Sequence, residues 1–461
     1  MLIKHPETIV SKLKYTLVFL LILVVPALAI SGANNGQAKI GSLTLKRWTT
    51  ANGMQVLFAP SSQIPMVDLR LVFDAGSARD SGAIEQNKNL PGLAKLTNGL
   101  IYEGSKNLTA QQIAQTFEGL GVQYGNGSYR DMAVLDFRSL SDQAIFSKAL
   151  DTINEILNQP LFLQKVLDRE RNKLLVALKL AQESPSAKAS LAFYKALYGP
   201  AHPYASPTNG TKESLKDISR EHLMQYYKKY YVAGNAILAV VGDLSVKQVE
   251  KLAERISKTL GSGQHAAKLP VVKVDKKGQL IKIKHPSTQT TIVMGMPVLK
   301  RGDKDYYALY MGNHILGGSG FSSRLVKEIR VKQGLTYSVG SYFSQMLAKG
   351  PFQVSLTTKN ATADQAVKLV NQVMADFIKN GPTADELEQA KLNVSGSFPL
   401  RTKSNKNIVE HLAVIGFYGL AENYLDTFKQ QTEKVTLDEI KETFKRRVDL
   451  TKLSTIIVGD N

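Results

Sequence analysis

The chemistry of this chain is sought first in its histidines and acids. There are seven histidines and no cysteine, so disulfides and cysteine-held zinc are excluded. Two histidines four residues apart on a helix share one face and can reach one metal, with a glutamate beside them as base. The nearest approach is NIVEH, residues 407–411. It offers Glu410 and His411, but Asn407 stands where the first histidine would be, and an amide is a poor ligand. His5, His202, His222, His265, His285 and His314 show no ligand spacing, and His202, in AHPY, reads as a structural loop residue.

Three further segments carry unusual residues. GLAKLTNGLIYEGS, at 92–105, patterns as a short helix with Ala94, Leu96 and Leu100 for burial. Lys95, Asn98 and Gly99 interrupt one face of it, and a helical glycine costs about 1 kcal/mol relative to alanine. At 316–323, LGGSGFSS places Gly317, Gly318 and Gly320 as a flexible lead-in to a helix at Ser322. Lacking a Gly-Lys-Ser/Thr ending, it is not a P-loop. Arg330 and Tyr337 then flank the turn residue Gly334 in EIRVKQGLTYSVGS. Taken alone, they read as a helix-end arginine and a strand tyrosine.

The elements that must position these residues come twice. SDQAIFSKALDTINEILNQP (141–160) resembles ADQAVKLVNQVMADFIKNGP (363–382). GVQYGNGSY (121–129) matches GLTYSVGSY (334–342), and EHLMQYYKKYYVAGNAILAVVGD (221–243) matches DEIKETFKRRVDLTKLSTIIVGD (438–460). The order is the same in both halves. Strand-like runs at 66–76 and 290–298 open each half, 132–140 and 351–359 continue it, and AILAVVGD or LSTIIVGD closes it. Amphipathic helices are predicted over 142–158 and 364–378. Strands mixed with segregated helices imply an α+β fold of two homologous halves, each a mostly antiparallel sheet backed by helices. The expected boundaries are 42–260 and 281–461, with a linker over 261–280 that starts Gly261-Ser262-Gly263-Gln264 and runs as an extended surface connection.

Composition bounds the remainder. At 461 residues, with 43% hydrophobic and 21% charged residues, the chain is globular and multi-domain. Lys4, Lys12 and Lys14 precede the apolar run TLVFLLILVVPALA (16–29), which ends Ala27-Leu28-Ala29. This describes a secretory signal over 1–29, and the run is shorter than the roughly 20 residues that span a bilayer. An exported, periplasmic protein is expected; an uncleaved membrane anchor is the alternative. The net charge is +19. Such a surface suits anionic partners such as membrane headgroups or acidic peptides. Nucleic acid is not expected, because no basic run interleaves with aromatics. The plainer reading is a solvated basic surface.

The two halves, with GLAKLTNGLIYEGS early in the first, resemble the pitrilysin-like M16 peptidases. Within these they resemble the bacterial two-halves M16B group, related to mitochondrial processing peptidase and the complex III core proteins. The resemblance covers nearly the whole chain after the leader. It is strongest over LGGSGFSSRLVKEIRVKQGLTYSVGS (316–341), with support from FDAGSARD (73–80) and HPY (202–204). It implies α/β-roll halves that together form half of a clamshell. Active members bind zinc through His-x-x-Glu-His on the early helix and a glutamate from a later one. Aligned on that pattern, this chain has Lys95, Asn98 and Gly99 for the motif and Ala177 for the third ligand. No zinc or other cofactor is expected here, because these groups neither bind a metal nor act as a base.

The second half matches what active members use to hold substrate. The resemblance implies that Arg330 and Tyr337 are the catalytic pair, binding a peptide carbonyl or carboxylate and donating to the developing oxyanion. It implies a substrate-binding loop around Gly317, Gly318 and Gly320. Active members also present an Asn-Ala edge strand to the substrate backbone; here Tyr124-Gly125 stand at that place. The expectation is a non-zinc subunit of an exported heterodimeric metallopeptidase. Its partner would carry His-x-x-Glu-His and the zinc, its substrates would be unfolded peptides, and alone it would cleave nothing. The alternative is a non-enzymatic scaffold or peptide-binding protein like the core proteins.

Overall fold

The duplicated segments fold into duplicated sheets. The computed structural model describes residues 39–40, 43–82, 89–274 and 277–460; the expected leader lies outside them. The first sheet comprises β1 (Lys46–Thr49), β2 (Gln55–Pro60), β3 (Met66–Phe73), β4 (Gln123–Ser128), β5 (Ala133–Leu140) and β6 (Ala236–Gly242), ordered β1-β2-β6-β3-β5-β4. The second comprises β7 (Leu280–Lys284), β8 (Gln289–Leu299), β9 (Thr336–Phe343), β10 (Gly350–Lys359) and β11 (Ser454–Gly459), ordered β7-β11-β8-β10-β9. The second order repeats the first without β1. In each sheet one pair is parallel, β2/β6 or β7/β11, and the others are antiparallel. The α+β architecture is that of the sequence reading.

Helices cover one face of each sheet. The first half supplies α1 (Leu93–Gly99), α2 (Ala110–Gly119), α3 (Gln143–Asn158), α4 (Gln164–Gln182), α5 (Pro185–Tyr198), α6 (Lys212–Asp217), α7 (Arg220–Tyr230) and α8 (Val246–Leu260). The second supplies α9 (Tyr306–Asn313), α10 (Ala363–Asn380), α11 (Ala384–Ser397), α12 (Asn405–Tyr418), α13 (Tyr424–Lys434) and α14 (Leu437–Arg447). Local capping sets their starts. Asp142 accepts from the Ala144 and Ile145 amides at 3.0 Å to begin α3. Ser219 with His222, and Thr436 with Glu439, form equivalent caps on α7 and α14. Among the described residues no helix is long and apolar enough to cross a membrane.

The two halves exchange helices. α12 of the second half packs Ile408, Val409 and Leu412 on Leu57, Val72 and Ile237 of the first sheet. In return, α5 of the first half packs Ala189 and Phe193 against Val293, Ile456 and Val458 of the second sheet. Both sheets are therefore covered on both faces, which is why every residue of β6 and β11 is buried and their apolar residues run consecutively, as in Ile456-Ile457-Val458. Glycine permits the close approach in each direction. A Cβ at Gly416 would lie 2.6 Å from Ile237 Cγ2 and 2.7 Å from Leu57 Cδ1; one at Gly295 would lie 2.1 Å from the Phe352 carbonyl and 2.9 Å from Phe193 Cζ.

The exchanged helices end on equivalent tyrosines. Tyr418 donates its hydroxyl to Asp131 Oδ2 at 3.2 Å, in the β4–β5 hairpin of the first half. Tyr198 donates to the Lys349 carbonyl at 3.0 Å, in the β9–β10 hairpin of the second. Asp131, 3% exposed, also accepts from Tyr204 Oη at 2.5 Å and the Leu347 amide at 2.8 Å. One buried carboxylate thus joins parts of both halves, and its hydrogen bonds offset its desolvation.

The connection between the halves runs largely exposed and is pinned at a few points. It has no helix or strand over 261–274. The Asn235 side chain accepts from the Ala266 amide at 2.9 Å, Arg79 Nη1 donates to the Ala267 carbonyl at 2.6 Å, and His202 Nε2 lies 3.1 Å from the Pro270 carbonyl. Val272 is buried. Arg79 is itself held by a bidentate pair with Asp74.

Helix exchange predicts a test at Gly416. Leucine is the better helix former, yet Gly416→Leu is expected to lower stability by about 1–3 kcal/mol through overpacking. Denaturant unfolding would measure it, and an unchanged or raised midpoint would refute the tight α12–sheet contact.

Candidate functional site

α1 begins on a buried acid. Asp80 accepts from the Gly92 amide at 2.9 Å and the Ala94 amide at 2.7 Å, satisfying donors that the helix start leaves free. Gly92 adopts φ +95°, and its missing Cβ leaves room for Gly210, whose Cα would be 3.1 Å away. Burial pushes the Asp80 carboxyl up to about 8, only partly opposed by those two amides. Leu93, Ala94 and Leu96 then point into the first-half core.

The residues at the degenerate motif positions do not share one environment. Lys95 is half-buried and has no carboxylate partner among the described residues. Gly99 is exposed, and nothing stands within 4 Å of where its Cβ would be. Ala177, on α4, is also exposed. Asn98 differs: it is 2% exposed. Its amide donates to Tyr231 Oη at 3.3 Å, and its backbone carbonyl accepts from Asn126 Nδ2 at 2.7 Å. Asn98 therefore ties α1 to β4 and to the chain after α7. The open space at Gly99 and Ala177 holds no ligand atom, and Lys95 brings a cation. Zinc does not fit these residues. Among the described residues no group of three or more His, Asp or Glu could hold a metal. In NIVEH, Glu410 pairs with Arg70 at 3.2 Å and Asn407 Nδ2 donates to the Leu400 carbonyl. His202 is structural: its Nδ1 accepts from the Tyr204 amide, so its Nε2 is the donor to Pro270.

The second half presents side chains outward. After α9 the helix continues as a π-turn over His314–Gly318, and a second π-turn, Val326–Val331, carries Arg330. Such widened turns recur at functional sites. The Arg330 guanidinium lies over the Phe321 ring, 4.6 Å from its centroid, and Phe321 is 70% exposed. Cation–π stacking orients the guanidinium plane while leaving its edge donors free. Gly334, at φ +60°, ends the turn, its amide donating to the Arg330 carbonyl at 3.0 Å.

Tyr337 sits on a bulge at the start of edge strand β9. Thr336 pairs with Thr358 and Val339 with Leu356, so Tyr337 and Ser338 face a single residue of β10. A bulge re-aims side chains. The Thr336 hydroxyl holds it, accepting from the Ser338 amide at 3.1 Å and lying 2.6 Å from the Thr357 carbonyl. Tyr337 is 86% exposed as a result. The π-turn with Arg330 packs on the strand with Tyr337, so one rigid corner bears both.

Two of the glycines play a different part from a flexible loop. A Cβ at Gly317 would lie 2.4 Å from Ser341 Oγ, and one at Gly318 would lie 2.9 Å from Asn313 Nδ2. Both belong to the first π-turn, and Gly317 lets it press against β9. Only Gly320, at φ +63° with open space around it, is a turn glycine. Sequence reading missed Phe321 and Thr336. Phe321 was visible only as an apolar residue in a Gly/Ser-rich run, and Thr336 carried no signal. The first-half counterpart of β9 is edge strand β4. There Tyr124 packs on Phe117 and Tyr102, with centroids 4.8 and 5.1 Å away.

Comparison with known proteins follows this geometry. The insulinase (peptidase family M16) profile matches residues 56–211, and the peptidase M16 inactive domain profile matches residues 217–394. A non-peptidase homolog, YmxG, of Helicobacter pylori is 29% identical over 413 residues, 88% of this chain and 91% of that protein. An uncharacterized zinc protease, YmxG, of Bacillus subtilis is 25% identical over 367 residues, 79% of this chain and 86% of that protein. Among solved structures, a peptidase M16 inactive domain from Pseudomonas fluorescens is 39% identical with a TM-score of 0.86, covering 91% of this chain and 98% of that one. A protease from Helicobacter pylori shares the fold, with a TM-score of 0.82 at 19% identity over 92% of this chain and all of that one.

The α1 geometry separates structural from vestigial positions. Asn98→Ala is expected to cost about 1–3 kcal/mol, since buried partners lose their bonds. Gly99→Ala is expected to be neutral or stabilising by up to about 1 kcal/mol, since the space is open. Thermal and denaturant unfolding would read both, and equal effects at the two sites would contradict the assignment. Asp80 predicts a pH dependence. Its folded pKa, about 8, lies above its ordinary 3.8, so its contribution is full below that ordinary value and is lost as pH rises through about 8. Stability measured between pH 4 and pH 8 should fall less steeply in Asp80→Asn. An unchanged slope would rule this out.

Proposed function

Because the chain belongs to the M16 peptidase family and has, among the described residues, none suited to the family's zinc, we propose that it is the substrate-holding subunit of an exported two-chain M16B-type metallopeptidase. The observation that carries this reading is the corner formed by the second π-turn and the β9 bulge. It leaves two hydrogen-bonding side chains, the half-buried Arg330 and the 86% exposed Tyr337, with no hydrogen-bond or ion-pair partner among the described residues. An exposed phenol and an arginine stacked on an exposed phenylalanine add little to the stability of this chain. They are well suited to a second molecule.

On this reading the partner subunit bears His-x-x-Glu-His and supplies the metal and the base. The residues of this chain bind and orient. The Arg330 fork, kept flat by Phe321, donates to a carbonyl or carboxylate of the peptide. The Tyr337 hydroxyl donates to the oxygen of the bond being cut, where negative charge develops. Both are carried by a π-turn and a strand bulge, not a mobile loop, so little ordering is required when substrate arrives. The substrates are unfolded peptides, which can present an extended backbone to this corner. The protein acts after export, with the leader of residues 1–29 directing it to the periplasm.

A second reading is supported by the description of the Helicobacter pylori relative as a non-peptidase homolog. There the same corner would bind peptide without any cleaving partner, as a scaffold does.

The two readings differ in a mixing experiment. This chain is purified alone and together with an M16 protein bearing His-x-x-Glu-His from a neighbouring reading frame, and cleavage of an unfolded peptide is followed. The mixture is expected to cleave and this chain alone is not. Tyr337→Phe and Arg330→Ala are each expected to slow the mixture by roughly 100-fold, the typical effect of removing one preorganised donor. A mixture that cleaves no faster than the partner alone favours the scaffold. A mixture unaffected by either substitution removes the assigned roles.

A further inference from the structure

The duplication provides an internal control for each surface, and one pair of surfaces has diverged. In the first half a cavity of about 520 Å3 lies between the end of α3 and α7, lined by Leu157, Met224, Lys228 and Tyr231, with Thr259 and Leu260 of α8 on one side. In the second half the corresponding cleft lies between the end of α10 and α14, and is about 1030 Å3. The matched segments align Leu157 with Lys379, Met224 with Lys441, Lys228 with Lys445 and Tyr231 with Val448. Two apolar positions of the first cleft have thus become lysines in the second. The enlarged cleft is also lined by Lys349, Arg446, Arg447 and Lys452, against only Glu442 and Asp449 among the acids.

Some of this charge is neutralised within the protein. Arg446 pairs with Asp305 at 2.7 Å, Arg447 pairs with Asp303 at 2.7 Å, and Lys452 lies 3.9 Å from Asp449. Lys349, Lys379, Lys441 and Lys445 have no carboxylate within ion-pair distance among the described residues. Like charges around one concave surface repel each other, and an anion placed between them relieves that repulsion. The floor is apolar, from Met296, Val298, Ile378 and Val448.

We propose that this cleft binds a phosphate-bearing molecule with an apolar body. The lysine ammonium groups meet the phosphate as mobile point charges, and the apolar body rests on Met296, Val298, Ile378 and Val448. The cleft is formed by α10, α14 and the end of β8, whereas the Arg330–Tyr337 corner lies on the second π-turn and edge strand β9, and the proposal does not depend on the cleavage reading. The phosphate can come from an anionic phospholipid headgroup or from a soluble organic phosphate.

Calorimetric titration of the full chain with inorganic pyrophosphate tests the shared chemistry, and co-sedimentation with phosphatidylglycerol or phosphatidylcholine vesicles tests the lipid source. Saturable binding of one probe is expected, weakened by about tenfold or more in the Lys379→Ala/Lys441→Ala/Lys445→Ala variant, since charge-assisted contacts are the stronger hydrogen bonds. Lys228→Ala, in the first-half cavity, is expected to bind like the parent. Because Lys379 and Lys445 are exposed, the triple variant should unfold at the parent temperature, and Lys445→Glu alone provides a second variant. Tighter binding of phosphatidylglycerol vesicles than of pyrophosphate assigns the lipid source, and the reverse assigns the soluble one. Binding of neither probe, equal binding by the charge variants, or preferential binding of an oligoglutamate peptide overturns the proposal.

Discussion

Each sheet of this molecule is closed on its far face by a helix from the other half, and this exchange is the constraint from which most other features follow. A sheet with one open face would expose Val72, Val134 and Ile237, or Val293, Ile456 and Val458, to water. Covering them with α12 and α5 removes that apolar area and joins the halves at the same time. The exchange explains why the central strands are apolar on both faces, and why glycine stands at 416 and 295. It also explains the chemistry at the junction. Asp131 is buried where three chain segments of different origin meet, and it is tolerated there because Tyr204, Tyr418 and the Leu347 amide all donate to it. The halves are therefore one mechanical unit, not two lobes on a hinge.

That rigidity matters for the second-half corner. The β9 bulge and the two π-turns depart from regular geometry, and each is held by specific contacts. β9 is stitched to β10, Gly317 seats the first π-turn against Ser341, and Asn313 bonds the Ser341 carbonyl at 3.0 Å. Tyr337 is directed outward by this frame. The same frame in the first half has been used differently. There the edge strand β4 carries Tyr124, which turns back onto an aromatic cluster, and Asn126, which supports α1. Both edges are largely exposed, but Tyr337 is 86% exposed whereas Tyr124, against its aromatic neighbours, is 37% exposed.

α1 shows how a helix can outlast its chemistry. Its apolar residues and Asn98 serve the core, and its start is anchored by Asp80. Of the four motif positions, Gly99 and Ala177 on α4 are exposed. The helix persists without metal ligands because its packing rests on Leu93, Ala94, Leu96 and Asn98, the last of which stands at a motif position yet is buried.

Much of this was legible in the sequence. The repeat was read from 141–160 against 363–382 and from 221–243 against 438–460, and period and composition placed the sheets and the long helices. The absence of metal-binding chemistry was also local, since ligand types and spacing can be read off a helix directly. The rest depended on contacts between residues far apart in the chain. Nothing in the residues around Asn98 indicated that it is buried against Tyr231 and Asn126, since its neighbour Gly99 is exposed. Gly317 and Gly318 suggested flexibility, but the close approach of β9 at Gly317 and of Asn313 at Gly318 makes them packing residues. The stacking of Arg330 on Phe321 required a π-turn that no periodicity announces. Residues read in order were enough to place the elements and to say which side-chain types stand at the motif positions, because propensity, pattern and residue type act locally. Which half covers which sheet, and which side chains are left facing water, emerged from the packing, because burial is settled by what meets a residue from elsewhere in the chain.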